Sequence, residues 1–152
     1  MSREYPIIAV TGSSGAGTTT VRRSFERMFL REDVHAAMVD GDAFHRYTRD
    51  DLHRIFREEP ERKDELSHFA VEANLLDRLE GLFSEYGEHG SGTFRHYIHA
   101  EDKQKIEAGY RVGTFTEWQS LPCGTDLLFY EGLHGGLVTE EYDIARHVDL
   151  LV

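Results

Sequence analysis

Cysteine, apolar length and positive charge are all scarce in this sequence, and each scarcity removes a class of protein. A single cysteine, Cys123, in 152 residues excludes an internal disulfide framework and favours a reducing, cytoplasmic setting. No apolar run reaches membrane-spanning length, and the N-terminus lacks the charged-then-apolar layout of a secretory signal. Lys and Arg number 17 against 28 Asp and Glu, a net charge of -11. That balance argues against nonspecific nucleic-acid binding, which draws on basic surface, yet leaves room for an anionic small molecule where arginines gather locally. His89, His96, His99 and His134 show no metal-ligand spacing such as H-E-x-x-H. Repeats and low-complexity segments are absent too. With 39% hydrophobic and 30% charged residues, the chain reads as one globular domain, residues 1–152, able to bury a core.

The apolar run Tyr5 to Thr11 is bounded by a Gly-rich turn, as expected of a strand buried on both faces. Thr18 to Arg31 reads as a helix, with Val21, Phe25, Met28 and Phe29 at helical spacing, and Val34 to Val39 as a second strand. Strand, turn, helix, strand is a βαβ unit, which implies parallel strands and a right-handed crossover. Thr48 to Glu58 predicts a charged surface helix ending near Pro60, and His68 to Tyr86 an apolar-faced helix stopping at Gly87. Short strands are expected over Thr93 to Ile98 and Tyr110 to Trp118, and a buried strand over Leu127 to Tyr130, closed by Glu131-Gly132. Glu140 to His147 reads as a short helix and Val148 to Val152 as the start of another strand, where the sequence stops. The fold class is α/β: a parallel sheet flanked by helices, of the P-loop nucleoside-triphosphate hydrolase kind, with its C-terminal strands expected to be missing.

Gly12-Ser13-Ser14-Gly15-Ala16-Gly17-Thr18-Thr19 has the glycine spacing and terminal hydroxyl of a phosphate-binding P-loop. Its glycines let backbone N–H groups and a helix N-terminus face an anion. The lysine that usually precedes the terminal Ser/Thr is missing, and Thr18 stands there. On the functional reading the loop wraps nucleotide phosphates and Thr19 ligates Mg²⁺; the alternative is a Gly/Ser-rich turn opening an ordinary helix.

Asp42 follows the second strand, at the edge where open α/β sheets bind ligands. A carboxylate there can take the proton of a hydroxyl attacking a γ-phosphate, or it can cap the next helix, and Asp40 competes for the same role. Glu131 closes a buried strand beside the loop, a position from which an acid holds Mg²⁺ directly or through water. His45-Arg46-Tyr47-Thr48-Arg49 is a basic cluster; arginine suits a phosphate, though such runs are commonly solvated helix turns.

Together, Ile8 to Thr19, Gly41 to Tyr47, Ser67-His68-Phe69, Glu72-Ala73-Asn74 and Leu128 to Gly135 resemble the bacterial phosphoribulokinases, in family order along nearly the whole chain. Bacterial members also tolerate threonine at the lysine position. The resemblance implies transfer of the ATP γ-phosphoryl to O1 of D-ribulose 5-phosphate, with ATP and Mg²⁺ as cofactors. It implies Asp42 as catalytic base, Thr19 and Glu131 as metal-associated residues, and His45, Arg49, Tyr97 and His99 as sugar-phosphate contacts. NADH as an effector through Arg31 and a homo-oligomer at full length are implied as well. Plant-type relatives carry a loop cysteine for thiol control where this chain has Ala16, and Cys123 alone cannot form that switch.

Family members continue well past Val152, so the chain reads as the N-terminal half of such an enzyme, with little turnover expected from it alone. A cation on the transferring phosphoryl is worth on the order of 10³ to 10⁵ in rate, and without the loop lysine it must come from elsewhere. A uridine kinase-like P-loop kinase and a non-catalytic nucleotide-binding remnant are the competing readings; His45 with Arg49 suits a phosphorylated sugar better than an uncharged base.

Overall fold

A computed structural model describes residues 4–13 and 15–152. Its centre is a four-stranded parallel sheet in the order β2-β5-β1-β6, formed by β1 (Ile7–Thr11), β2 (Ala36–Asp40), β5 (Leu127–Gly132) and β6 (Leu150–Leu151). The two strands of the N-terminal βαβ unit are parallel but not neighbours, because β5 lies between them. Register pairs Thr11 with Gly132 and Asp40 with Glu131, so three strands end level at one edge of the sheet. That edge carries the residues singled out above.

The central strands are short apolar runs because both faces are covered. Ile7, Ala9, Leu128 and Phe129 have no solvent exposure at all. On one face, α1 (Thr18–Arg31) lays Phe25 and Phe29 against Phe129, with ring centroids 5.2 and 5.8 Å away. Met28, expected on the same stripe, is exposed instead. On the other face, α4 (Leu76–His89) buries Leu76, Leu79, Leu82, Phe83 and Tyr86, and Phe83 meets Tyr130 edge-on at 5.4 Å. Each such side chain contributes about 1.5–3 kcal/mol by leaving water.

α2 (Arg49–Glu58) matches the helix expected over Thr48 to Glu58, its start fixed by a capping box in which the Thr48 hydroxyl accepts from the Asp51 N–H and the Asp51 carboxylate from the Thr48 N–H. The helix expected from His68 is a correction. Residues 66–75 are mostly irregular with one 3-10 turn, Val71–Ala73, and α4 starts only at Leu76 and runs past Gly87 to end at Gly90. The reason is side-chain competition: Asn74 Nδ2 donates to the carbonyls of His68 and Ala70, both at 2.8 Å, holding the segment off the helical path. α3 (Arg62–Glu65), a single turn, was not anticipated.

Between α4 and β5 the expected strands shrink to β3 (Thr93–Phe94) paired with β4 (Gln119–Ser120), plus one bridge between Tyr97 and Phe115. A short helix, α5 (Lys103–Glu107), sits inside the excursion. The helix expected over Glu140 to His147 is reduced to a 3-10 turn, Ala145–His147, because the Thr139 hydroxyl accepts the N–H groups of Glu141 and Tyr142 and turns the chain there. Among the described residues no helix is long and apolar enough to cross a membrane.

Candidate active site

A cleft of about 720 Å³ opens at the shared C-terminal edge of β1, β2 and β5. Gly12, Ser13, Gly15, Thr18 and Thr19 line one side of it. Ala16 closes the loop through its N–H to the Ser13 carbonyl (3.0 Å), and Gly17, at φ 87°, makes the left-handed step into α1 that only glycine takes without strain. The helix therefore starts with no side-chain cap and no acid in its first turn, leaving its positive end to a ligand. Ser14, the remaining loop residue of the sequence reading, lies outside the described residues.

Asp42, His45, Arg49, Tyr97, His99 and Glu131 all line the same cleft. Asp40 and Asp42 lie on the strand end and the following 3-10 turn, Gly41–Phe44, and their environments separate them. Asp40 caps the turn by accepting the Asp42 N–H at 2.9 Å and meets His99 Nε2 at 3.0 Å. Burial works against its charge, but those hydrogen bonds win and hold its carboxyl below the usual value. Asp42 is half-buried beside that fixed negative charge, and burial, then Asp40, raise its proton affinity. Of the two, Asp42 is the carboxylate with the higher proton affinity.

His99 stands against both acids, 3.0 Å from Asp40 and 3.6 Å from Asp42, and its hydrogen bond to Asp40 raises its pKa. His45 goes the other way. Burial and the neighbouring His68 push it down to about 4, so its ring, stacked on His68 at 4.9 Å and 3.7 Å from Asp42, is neutral near pH 7. Charge for an anionic group on that side comes instead from Arg49, at the start of α2, whose backbone N–H is held by the Gly113 carbonyl at 2.9 Å. Tyr97 lies between them, its hydroxyl 3.5 Å from Arg49 Nη2 and its ring 4.8 Å from that of His99.

Two turns meet at the floor of the cleft. A Cβ on Gly41 would come within 2.8 Å of the Gly132 Cα and 2.6 Å of the Tyr130 hydroxyl, so both positions need glycine for the β2 and β5 ends to approach. Tyr130 is fully enclosed, and its oxygen accepts the His134 N–H at 3.3 Å.

Arg22 was missed. It lines the cleft one helical turn beyond Thr19 and donates to Glu131 at 3.4 Å and Glu26 at 3.1 Å. Its spacing of three from Thr19 put it on the same helix face, a signal available in the sequence. Phe69, read as a core position of a helix, is instead exposed at the cleft mouth. Arg31 does not reach the cleft: it lies in the last turn of α1, paired with Glu32 at 2.7 Å, roughly 18 Å along the helix from Thr19.

The chain is 50% identical to a phosphoribulokinase of Nitrobacter vulgaris over its whole length, covering 52% of that protein. It is 49% identical to the phosphoribulokinase of Sinorhizobium medicae, again with 52% of that protein covered. The solved structure of a phosphoribulokinase from Rhodobacter spheroides superposes with a TM-score of 0.83 at 43% identity, over 99% of this chain and 50% of that one. The chain thus spans about half the length of the curated relatives it matches. The model of the phosphoribulokinase / uridine kinase family matches residues 7–152, and with the P-loop, the parallel sheet and the acid-lined cleft this makes the chain a member of that family.

Proposed function

We propose that this chain carries the nucleotide loop and the acceptor-activating site of a kinase that moves the γ-phosphoryl of ATP to O1 of D-ribulose 5-phosphate, giving ribulose 1,5-bisphosphate for carbon fixation. The observation that carries this reading is the pair of carboxylates Asp40 and Asp42: one is tied down as a structural acid, and the other is left with raised proton affinity, facing the loop across one cleft. Asp42 takes the O1 proton as the oxygen attacks. His99 tempers the charge of both acids, Arg49 answers the sugar phosphate, and neutral His45 and Tyr97 supply hydrogen bonds to the sugar phosphate. The loop from Gly12 to Thr19 takes the nucleotide phosphates on backbone N–H groups and the α1 N-terminus.

The carboxylate of Glu131 and the hydroxyl of Thr19 line the cleft together and are hard oxygen donors, a set that fits Mg²⁺. When bound, the ion neutralises charge on the β- and γ-phosphates. Arg22 is the counter-charge that Glu131 holds in its place. We read residues 1–152 as one domain working in the cytoplasm, in a homo-oligomer at full length, with Arg31 as the position at which NADH would act.

Calorimetric titration tests the reading. The chain is expected to bind Mg·ATP and, with a non-hydrolysable ATP analogue present, D-ribulose 5-phosphate but not uridine. Binding of uridine in preference would support the nucleoside-kinase alternative. Nucleotide binding with neither acceptor would support the remnant.

A further inference from the structure

Every backbone carbonyl from Asp42 to His45 is engaged, and one side chain serves two of them. The Asp42 carbonyl accepts the His45 N–H at 3.2 Å and the Phe44 carbonyl the Leu75 N–H at 2.7 Å. The carbonyls of Ala43 and His45 both accept from Arg95, from Nε and Nη2 respectively, each at 2.7 Å. The last carbonyls of a helical turn have no partner inside it, and a cation there is favourable. The guanidinium lies over the rings of Phe115 at 3.6 Å and Trp118 at 4.6 Å, and Phe44 meets the same indole edge-on at 5.9 Å. Among the described residues it has no carboxylate partner, so its fork is held by carbonyls and ring faces alone. Burial and the nearby Arg78 lower its pKa to about 10, which still leaves it charged near neutrality.

From this geometry we infer that Arg95 is a positioning residue: it clamps the turn bearing Asp42 and His45 to the Phe115–Trp118 arm and so fixes both side chains in the cleft. The inference rests on the cleft being the reaction site. A lysine would replace it poorly, since an ammonium can donate to two carbonyls but has no planar face to lay against the rings. Arg95 also faces His45 electrostatically, together with His68, His134, Asp40 and Asp42, and its positive charge helps keep the imidazole neutral.

The test is an NMR titration of the His45 ring in this chain, as purified, as Arg95→Met and as Arg95→Lys. Arg78→Met, which takes a guanidinium off the same indole at 4.5 Å with no bond to the turn, serves as control. We expect the His45 pKa to rise by at least about half a unit in Arg95→Met, to rise less in Arg95→Lys, and to stay in place in Arg78→Met. Adding methylguanidinium should return Arg95→Met towards the native value, which restored packing alone would not do. An unchanged His45 titration in Arg95→Met, or an equal shift in Arg78→Met, overturns the clamp. Should the Met variant not fold, hydrogen exchange on the native chain decides. The Arg95 Nε–H is expected to exchange at least about tenfold more slowly than that of exposed Arg57, and equal rates would overturn the assignment. None of these readouts uses ATP or a sugar, so failure of the clamp is separable from failure of the kinase reading, which the calorimetry reports.

Discussion

Two aspartates two positions apart look interchangeable in a sequence, and what separates them is one hydrogen bond to a histidine and one to a backbone N–H. Asp40 uses both of its carboxylate oxygens on Asp42 N and His99, whereas Asp42 keeps its own for the cleft. That an acid stands at the cleft after β2 was legible, and the family resemblance implied Asp42; the contact that sets Asp40 apart from it was not legible, because His99 arrives from 59 residues away. On the proposed reading, Asp42→Asn is expected to lower kcat by about 10²- to 10⁴-fold while leaving Mg·ATP affinity within about twofold, checked by steady-state kinetics and calorimetry. On that reading Asp42 acts only when ionised, so activity is expected to fall as pH drops through its raised pKa, with an acid limb above that of an ordinary aspartate. The charge of His99 lowers the Asp42 pKa, so His99→Gln should move that limb to higher pH, read from kcat/KM against pH. The same substitution has a stability signature. The folded pKa of His99 is raised above its unfolded value, so its contribution is complete below about pH 6.5 and fades as pH rises through the folded pKa. The Tm gap between native chain and His99→Gln should therefore narrow on going alkaline.

At the scale of elements, the strands and helices with unbroken apolar logic were the ones readable in advance. β1, β5 and α1 declare themselves through the runs Ile7 to Val10 and Leu127 to Tyr130 and the Phe25–Phe29 stripe. The stretch 66–75 misled because Phe69 has helical spacing, while Asn74, a polar residue 2% exposed, dictates the path through bonds to carbonyls. Thr139 does the same at 140–144. Periodicity reports which faces are apolar; it says nothing of a side chain that outcompetes the backbone. The close approach of Gly41 and Gly132 yields a prediction at this scale. Gly41→Ala would drive a methyl into Gly132 and the Tyr130 hydroxyl, costing about 1–3 kcal/mol and splaying the β2 and β5 ends. Chemical denaturation should show the loss, with a larger relative drop in ligand affinity than Gly81→Ala produces on α4, where a Cβ meets nothing within 4 Å.

For the whole molecule, positive charge is the scarce component. The chain carries a net -11, its nucleotide loop holds Thr18 where a lysine would stand, and Arg22, the cation nearest that loop on α1, is tied to Glu131. On the proposed reading, positioning groups are in place while charge for the transferring phosphoryl is short, and transfer by this chain is expected to be slower by on the order of 10³ to 10⁵ than the 1–100 s⁻¹ of ordinary kinases. Kinase activity towards the sugar phosphate is read most directly by ³¹P NMR of the chain in excess over D-ribulose 5-phosphate with Mg·ATP. Slow growth of ribulose 1,5-bisphosphate and ADP signals in step is expected, with no transfer to uridine and none from Asp42→Asn. Transfer to uridine, or an equal yield of the bisphosphate from Asp42→Asn, would contradict the proposed reading.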